Sequence, residues 1–288
     1  MNVVQCAAKG IRESTARPKM VVLLWAFNFM VAGLIFLVFF RAFGGAVGTS
    51  ALVKEMAQKA DMNVVVEFLT AGGGGVVSEL LVIGLGLSVL YLFVSVFLYG
   101  GILQTLIQKG GGWRFAETFF AGGGRFYGRF FRLEIYSLGL WFAAGLIFVL
   151  INSVINFNYR DSADEQTTFV LTIIKILFAL FLIFLIKMIM DYARILIAGR
   201  DSREVLRSLL EAVRFVLKKP GTTLALYYLL GLVGWASFLI YKVLDSAFAQ
   251  TSPATIVIGF LLAQVFIASR GWLKVAYQAA QGRIIGLI

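Results

Sequence analysis

The chain has 288 residues, of which 60% are hydrophobic and 14% charged, and its mean hydropathy is +0.89. Soluble domains carry about 45–50% apolar and about 25% charged residues, so these values exclude an ordinary soluble domain, a disordered chain and a fibrous repeat. No histidine occurs and Cys6 is the single cysteine, which removes imidazole acid–base chemistry, the usual transition-metal ligands and any intrachain disulfide. No cofactor, no metal and no catalytic residue are expected.

In chain order, six apolar runs occupy 20–41, 80–107, 135–156, 169–190, 222–243 and 254–274. A helix needs about 20 apolar residues to cross a hydrocarbon core about 30 Å thick, so each run predicts one transmembrane helix. Together they leave no room for a separate soluble catalytic domain. The first run follows Lys9, Arg12, Arg17 and Lys19 and is too long for the apolar stretch of a cleaved signal, so it reads as a retained signal anchor.

The loops set the expected orientation. Lys and Arg crowd the N-terminal tail, the second loop, the fourth loop and the C-terminal end. The opposite side holds Arg41, Lys54, Lys59, Arg160 and Lys242, with acidic Asp161, Asp164 and Glu165 in its second loop. The positive-inside rule then places both termini in the cytoplasm, most naturally of a multi-pass protein of the cell membrane. The same rule accounts for the net charge of +11 without a nucleic-acid partner.

Three amphipathic segments flank the runs. Over 50–69, Leu52, Val53, Met56 and Ala60 recur at helical spacing and predict a helix on the external surface. Over 114–132, phenylalanines interleave with Arg125, Arg129 and Arg132. Over 202–218, Val205, Leu206, Leu209, Leu210, Val213, Val216 and Leu217 form a stripe opposite Arg203, Arg207, Arg214 and Lys218. Asp201 and Glu204 have the spacing of a capping box for that helix. The last two segments read as cytoplasmic amphipathic helices.

The lead-ins to alternate runs look alike. Gly10-Ile11-Arg12 precedes Arg17-Pro18 and the first run; Ala212-Val213-Arg214 precedes Lys219-Pro220 and the fifth, at a constant offset. Gly124-Arg125 precedes Phe130 and the third run, without the proline. The fold class expected is therefore all-α: six transmembrane helices as three hairpins, each with a cytoplasmic lead-in helix.

Few residues suggest chemistry. Arg125, Arg129 and Arg132, spaced four and three, share a helix face and suit an anionic lipid headgroup, as do Arg214, Lys218 and Lys219; the commoner explanation of such residues is an ordinary positive-inside anchor. Gly122 to Gly124 and Gly128 lack the strand and the Gly-Lys-Ser/Thr of a phosphate loop. Lys175 is the charge placed deepest inside a run, either to meet an anionic group or to snorkel to the interface. Lys187, Asp191 and Arg194 have the spacing of an ion-pair cluster. Asn28, Gln104, Asn152, Asn156 and Gln264 suit interhelical hydrogen bonds, and Gly84 with Ser88 and Gly139 with Ala143 suit close helix packing.

Asp191-Tyr-Ala-Arg194 leaving the fourth run, Asp201 to Leu217, Lys219-Pro220, and Phe119-Phe120-Ala-Gly-Gly-Gly-Arg125-Phe-Tyr together resemble a broad group of six-span membrane proteins. It includes the membrane domain attached to some glycerophosphoryl diester phosphodiesterases. The resemblance implies membrane location and fold, and no activity. The leading expectation is a non-enzymatic component organising anionic lipid or a partner protein. The alternative is a transporter or permease-like component moving a small or anionic substrate. A dry, Phe- and Leu-packed interior favours the first; polar residues converging on Lys175 in a water-filled cavity favour the second.

Overall fold

The structure, a computed structural model, describes residues 2–47, 74–108, 114–159, 165–248 and 252–288. Among these residues the elements are α1 (Val3–Thr15), α2 (Pro18–Val47), α3 (Gly74–Ile107), α4 (Phe115–Asn158), α5 (Glu165–Gly199), α6 (Val205–Lys218), α7 (Pro220–Ala247) and α8 (Pro253–Ile285). Six of them are long and apolar enough to cross a membrane, and the chain is an all-α polytopic membrane protein. The segment expected to be helical at 50–69 lies outside the described residues.

Proline governs the lead-ins. α1 stops at Thr15 before Pro18, and α6 stops at Lys218 before Pro220, which opens α7. A proline has no N–H to give and clashes one turn back, so it starts a helix and ends the one before it. The middle lead-in has no proline, and α4 runs unbroken for 44 residues. At about 1.5 Å per residue it is roughly twice as long as a bilayer core requires.

The chain divides into two compact units, Val22–Ser95 and the remainder. In the first, Tyr91 donates to Asn28 Oδ1 at 3.1 Å, and Asn28 Nδ2 donates to the Leu24 carbonyl at 2.8 Å. This is the interhelical bond expected of an asparagine in an apolar span.

The second unit turns the soluble pattern inside out along its spans. Phe142 is 70% exposed and Phe157 83%, which only a lipid solvent tolerates across six helices. Its packed core lies at the basic end, where α4, α5 and α6 bury Phe126, Phe130, Leu133, Met188, Tyr192, Ile195, Leu209 and Val216. The sixth span was expected to end near 274, yet α8 continues to Ile285. Leu273, Val275, Ala276, Ala279 and Ala280 are buried there, where small side chains let α1 approach closely. A Cβ on Gly10 would stand 2.7 Å from the Ala276 carbonyl oxygen. Gly286 (φ +80°) reverses the chain, with Leu287 N–H donating to the Gly282 carbonyl at 3.0 Å.

The glycine-rich stretch of α4 is a helix crossing. A Cβ on Gly100 would lie 2.9 Å from the Gly122 carbonyl oxygen, and one on Gly122 would collide with Gln104 Cβ. Gly84 and Gly139, expected at close contacts, have nothing within 4 Å of such a Cβ. The close contact is made instead where glycines face glycines. Gly100→Ala is expected to lower stability by about 1–3 kcal/mol through overpacking. Gly124→Ala, which meets open space, is expected to be neutral or to gain up to about 1 kcal/mol in helix propensity. Thermal melting in detergent separates the two.

Candidate functional site

At the basic end of the second unit, α5 leaves its apolar run through Asp191-Tyr192-Ala193-Arg194. Arg194 is 8% exposed. Its Nη1 donates to Asp191 Oδ1 at 2.8 Å and its Nη2 to Glu134 Oε1 of α4 at 2.5 Å. The guanidinium carbon lies 4.0 Å from the ring centroid of Tyr99 on α3. The Lys274 ammonium of α8 lies 3.8 Å from the same centroid. Two cations, two carboxylates and one aromatic face thus join four helices. Charge-assisted bonds of this length are the strong ones, and a desolvated cation over an aromatic face contributes about 2 kcal/mol.

The sequence spacing anticipated the Asp191–Arg194 pair. Lys187 is a correction: it is exposed, and the buried positions around it, Ile186, Met188, Ile189 and Met190, show that its face turns outward. Glu134, Lys274 and Tyr99 complete the cluster in its place. Glu134 stands one residue before the apolar run predicted at 135, and an acid in that position was the available signal. Tyr99 offered none, since an aromatic in an apolar run is ordinary.

A second network fastens α1. Glu13 accepts Arg17 Nη2 at 3.0 Å and Arg283 Nη2 of α8 at 2.7 Å. Arg17 Nη1 donates to the Thr105 carbonyl of α3 at 2.6 Å. Burial pushes the Arg17 guanidinium below its usual range while Glu13 pulls it back up. Ser14 Oγ donates to the Trp272 carbonyl at 2.7 Å, and Trp272 Nε1 returns a bond to Thr15 Oγ1 at 3.1 Å.

The third arrangement is a clasp. Asp201 does not cap α6, which begins at Val205. It sits at the end of α5 with φ +51°, and Ser202 N–H reaches back to the Ile197 carbonyl at 3.0 Å, as in a Schellman turn. Aspartate is among the few residues that tolerate this left-handed position. The turn aims its carboxylate at α4, where Arg125 Nη2 reaches Oδ2 at 2.6 Å and Arg129 Nη1 reaches Oδ1 at 2.5 Å. Both guanidinium carbons lie 5.6 Å from the Phe126 ring centroid. Phe119, Phe126 and Phe130 are buried in the core.

The remaining predicted residues are placed as follows. Arg132 is exposed one turn beyond the clasp. Arg214, Lys218 and Lys219 are exposed on α6 and its C-terminal turn, with Lys219 Nζ 5.8 Å from the Phe215 centroid. Lys175 donates to Asn156 Oδ1 at 2.6 Å across the α4–α5 hairpin. Around it Tyr159, Thr168 and Thr172 line an open cleft of about 250 Å³, below the roughly 300 Å³ of small-molecule sites.

No family model, curated protein or solved structure matches the chain.

Removing Arg194 strands two largely buried carboxylates, and breaking a buried pair costs about 3–5 kcal/mol. Arg194→Met is expected to lower the melting temperature sharply. Adding Asp191→Asn and Glu134→Gln to it should recover much of the loss; no recovery would mean that packing, not charge, is what Arg194 supplies. At the clasp, hydrogen bonds from Arg129 and then Arg125 hold the Asp201 carboxyl below its usual range. A depressed carboxylate contributes stability above its unfolded value, about 4, and loses it as pH falls through the lower folded value. The melting difference between wild type and Asp201→Asn is therefore expected to be constant from pH 7 to about 4 and to shrink below that. The carboxylate is half exposed, so the difference will be small.

Proposed function

We propose that the chain is a non-enzymatic membrane protein that organises anionic lipid at its basic end. The observation that carries this reading is the division of the cations there. Arg17, Arg125, Arg129, Arg194, Arg200 and Arg283 are held by carboxylates. Arg132, Arg203, Arg214 and Lys218 are exposed and have no carboxylate partner among the described residues. A free cation near an anionic membrane surface is worth about 1 kcal/mol. The positive-inside bias puts this end in the cytoplasm, and the cell membrane is its natural setting.

The interior supports an organiser over a permease. Phe119, Phe126, Phe130, Leu133, Met188 and Tyr192 are buried in it, and Arg194 is paired there with Asp191 and Glu134. The cleft at Lys175 is small and open, and Lys175 there donates to Asn156.

Native mass spectrometry of the protein released from membrane-derived nanodiscs tests the reading. Wild type is expected to retain anionic phospholipid, and the combined change Arg132→Gln, Arg214→Gln and Lys218→Gln to lose it. A stoichiometric protein with no retained lipid would replace the lipid role by a partner-organising one. A bare chain would overturn both and bring transport assays forward.

A further inference from the structure

The apolar stripe of α6 is two stripes. Val205, Ser208, Leu209, Ala212 and Val216 are buried against the bundle. Leu206, Leu210 and Leu217 are turned about 120° around the helix from that face and are 51%, 50% and 66% exposed. Val213, partly buried, continues their line. Beyond this second stripe lie exposed Arg203, Arg207, Arg214 and Lys218. Round the helix the order is therefore packed face, bare leucines, cations.

The connection to α7 limits where this surface can be. Lys219 is the single residue between α6 and α7, and the backbone closes across it: Lys219 N–H donates to the Phe215 carbonyl and Thr223 N–H to the Lys219 carbonyl, each at 3.1 Å. α7 is itself a span. A helix of 14 residues joined directly to a span has its C-terminal end fixed at the membrane boundary. An apolar stripe bordered by cations is what a helix lying in that boundary presents, the leucines toward acyl chains and the cations toward phosphates.

We propose that α6 is an interfacial lipid-docking element. Leu206, Leu210, Val213 and Leu217 enter the acyl layer of the leaflet at the basic end, and Arg203, Arg214 and Lys218 hold anionic phospholipid headgroups beside them. Arg207, already shared with Glu204 and Glu211, is the cation least available for this. The proposal rests on the lipid reading above and adds which element meets the lipid and how it is seated.

Spin-label accessibility on the full chain in bilayers tests it. Leu210→Cys and Leu217→Cys carry the nitroxide; Cys6, fully buried, should leave the wild-type chain unlabelled. In bilayers containing phosphatidylglycerol, collisions with oxygen, which concentrates in the lipid, are expected to exceed those with a water-soluble nickel chelate several-fold at both sites. Arg214→Cys should give the reverse ratio. Replacing phosphatidylglycerol by phosphatidylcholine, or adding Arg203→Gln and Lys218→Gln, should bring the leucine sites toward the water value.

Nickel access equal to oxygen access at Leu210 and Leu217 in the anionic bilayer would overturn the proposal. Exclusion of both reagents would overturn it as well, in favour of a second copy or another protein covering the stripe. Insertion that ignores lipid charge would refute the headgroup role of Arg203, Arg214 and Lys218. Water-exposed leucines with anionic lipid still retained in the mass spectrometer would sink this inference and leave the proposed function intact. Inserted leucines without retained anionic lipid would do the opposite.

Discussion

A guanidinium withdrawn from water must be matched by charge and by hydrogen bonds, and Arg194 imposes that demand on its surroundings. Its two terminal nitrogens are taken by Asp191 and Glu134, and its face by Tyr99. Lys274 shares that aromatic face, so α3, α4, α5 and α8 must converge at one depth. Buried ion pairs often add little net stability compared with apolar packing, because desolvation offsets attraction. What they do add is intolerance of alternatives. A helix slipped by one turn would strand a charge, whereas leucine against leucine would adapt. In a bundle whose outer surface is apolar almost throughout, such a fixed point supplies the register that lipid cannot.

The other features of the basic end follow from the same accounting of charge. Glu13 collects Arg17 and Arg283 and so ties α1 to α8. Asp201 collects Arg125 and Arg129 and so ties the α5–α6 turn to α4. Carboxylates are the scarcer partner, 15 against 26 lysines and arginines. Once the interior pairs are made, the surplus is necessarily positive. The free cations of α4 and α6 are that surplus, and lipid phosphate is the anion a membrane supplies in quantity.

Much of the fold was legible in the sequence. A span has a minimum length and a composition set by the bilayer, and neither depends on what the helix packs against. The breaks before Pro18 and Pro220 were legible for a local reason too, as was the i,i+3 pair of Asp191 and Arg194. The candidate site was legible only in part. Glu134, Lys274 and Tyr99 come from three other helices, and no local pattern joins them. The end of α8 was missed because Gln278, Gln281 and Arg283 among alanines carry no apolar period, although Gln278 and Gln281 are buried. Asp201 was read as a cap from spacing alone, while its φ of +51° makes it the turn that ends the preceding helix.

By itself the sequence determined the solvent of this protein, its six crossings and the side on which its positive charge gathers. Each follows from sums over consecutive residues. Only the tertiary structure decided which arginines are consumed and which remain, and which leucines of α6 face protein and which face outward. One helix presents every residue type to every direction in turn, so neighbouring helices, and not spacing, choose which face is covered. The division of Arg125 and Arg129 from Arg132, and of Leu209 from Leu210, was made by contacts that join residues far apart along the chain.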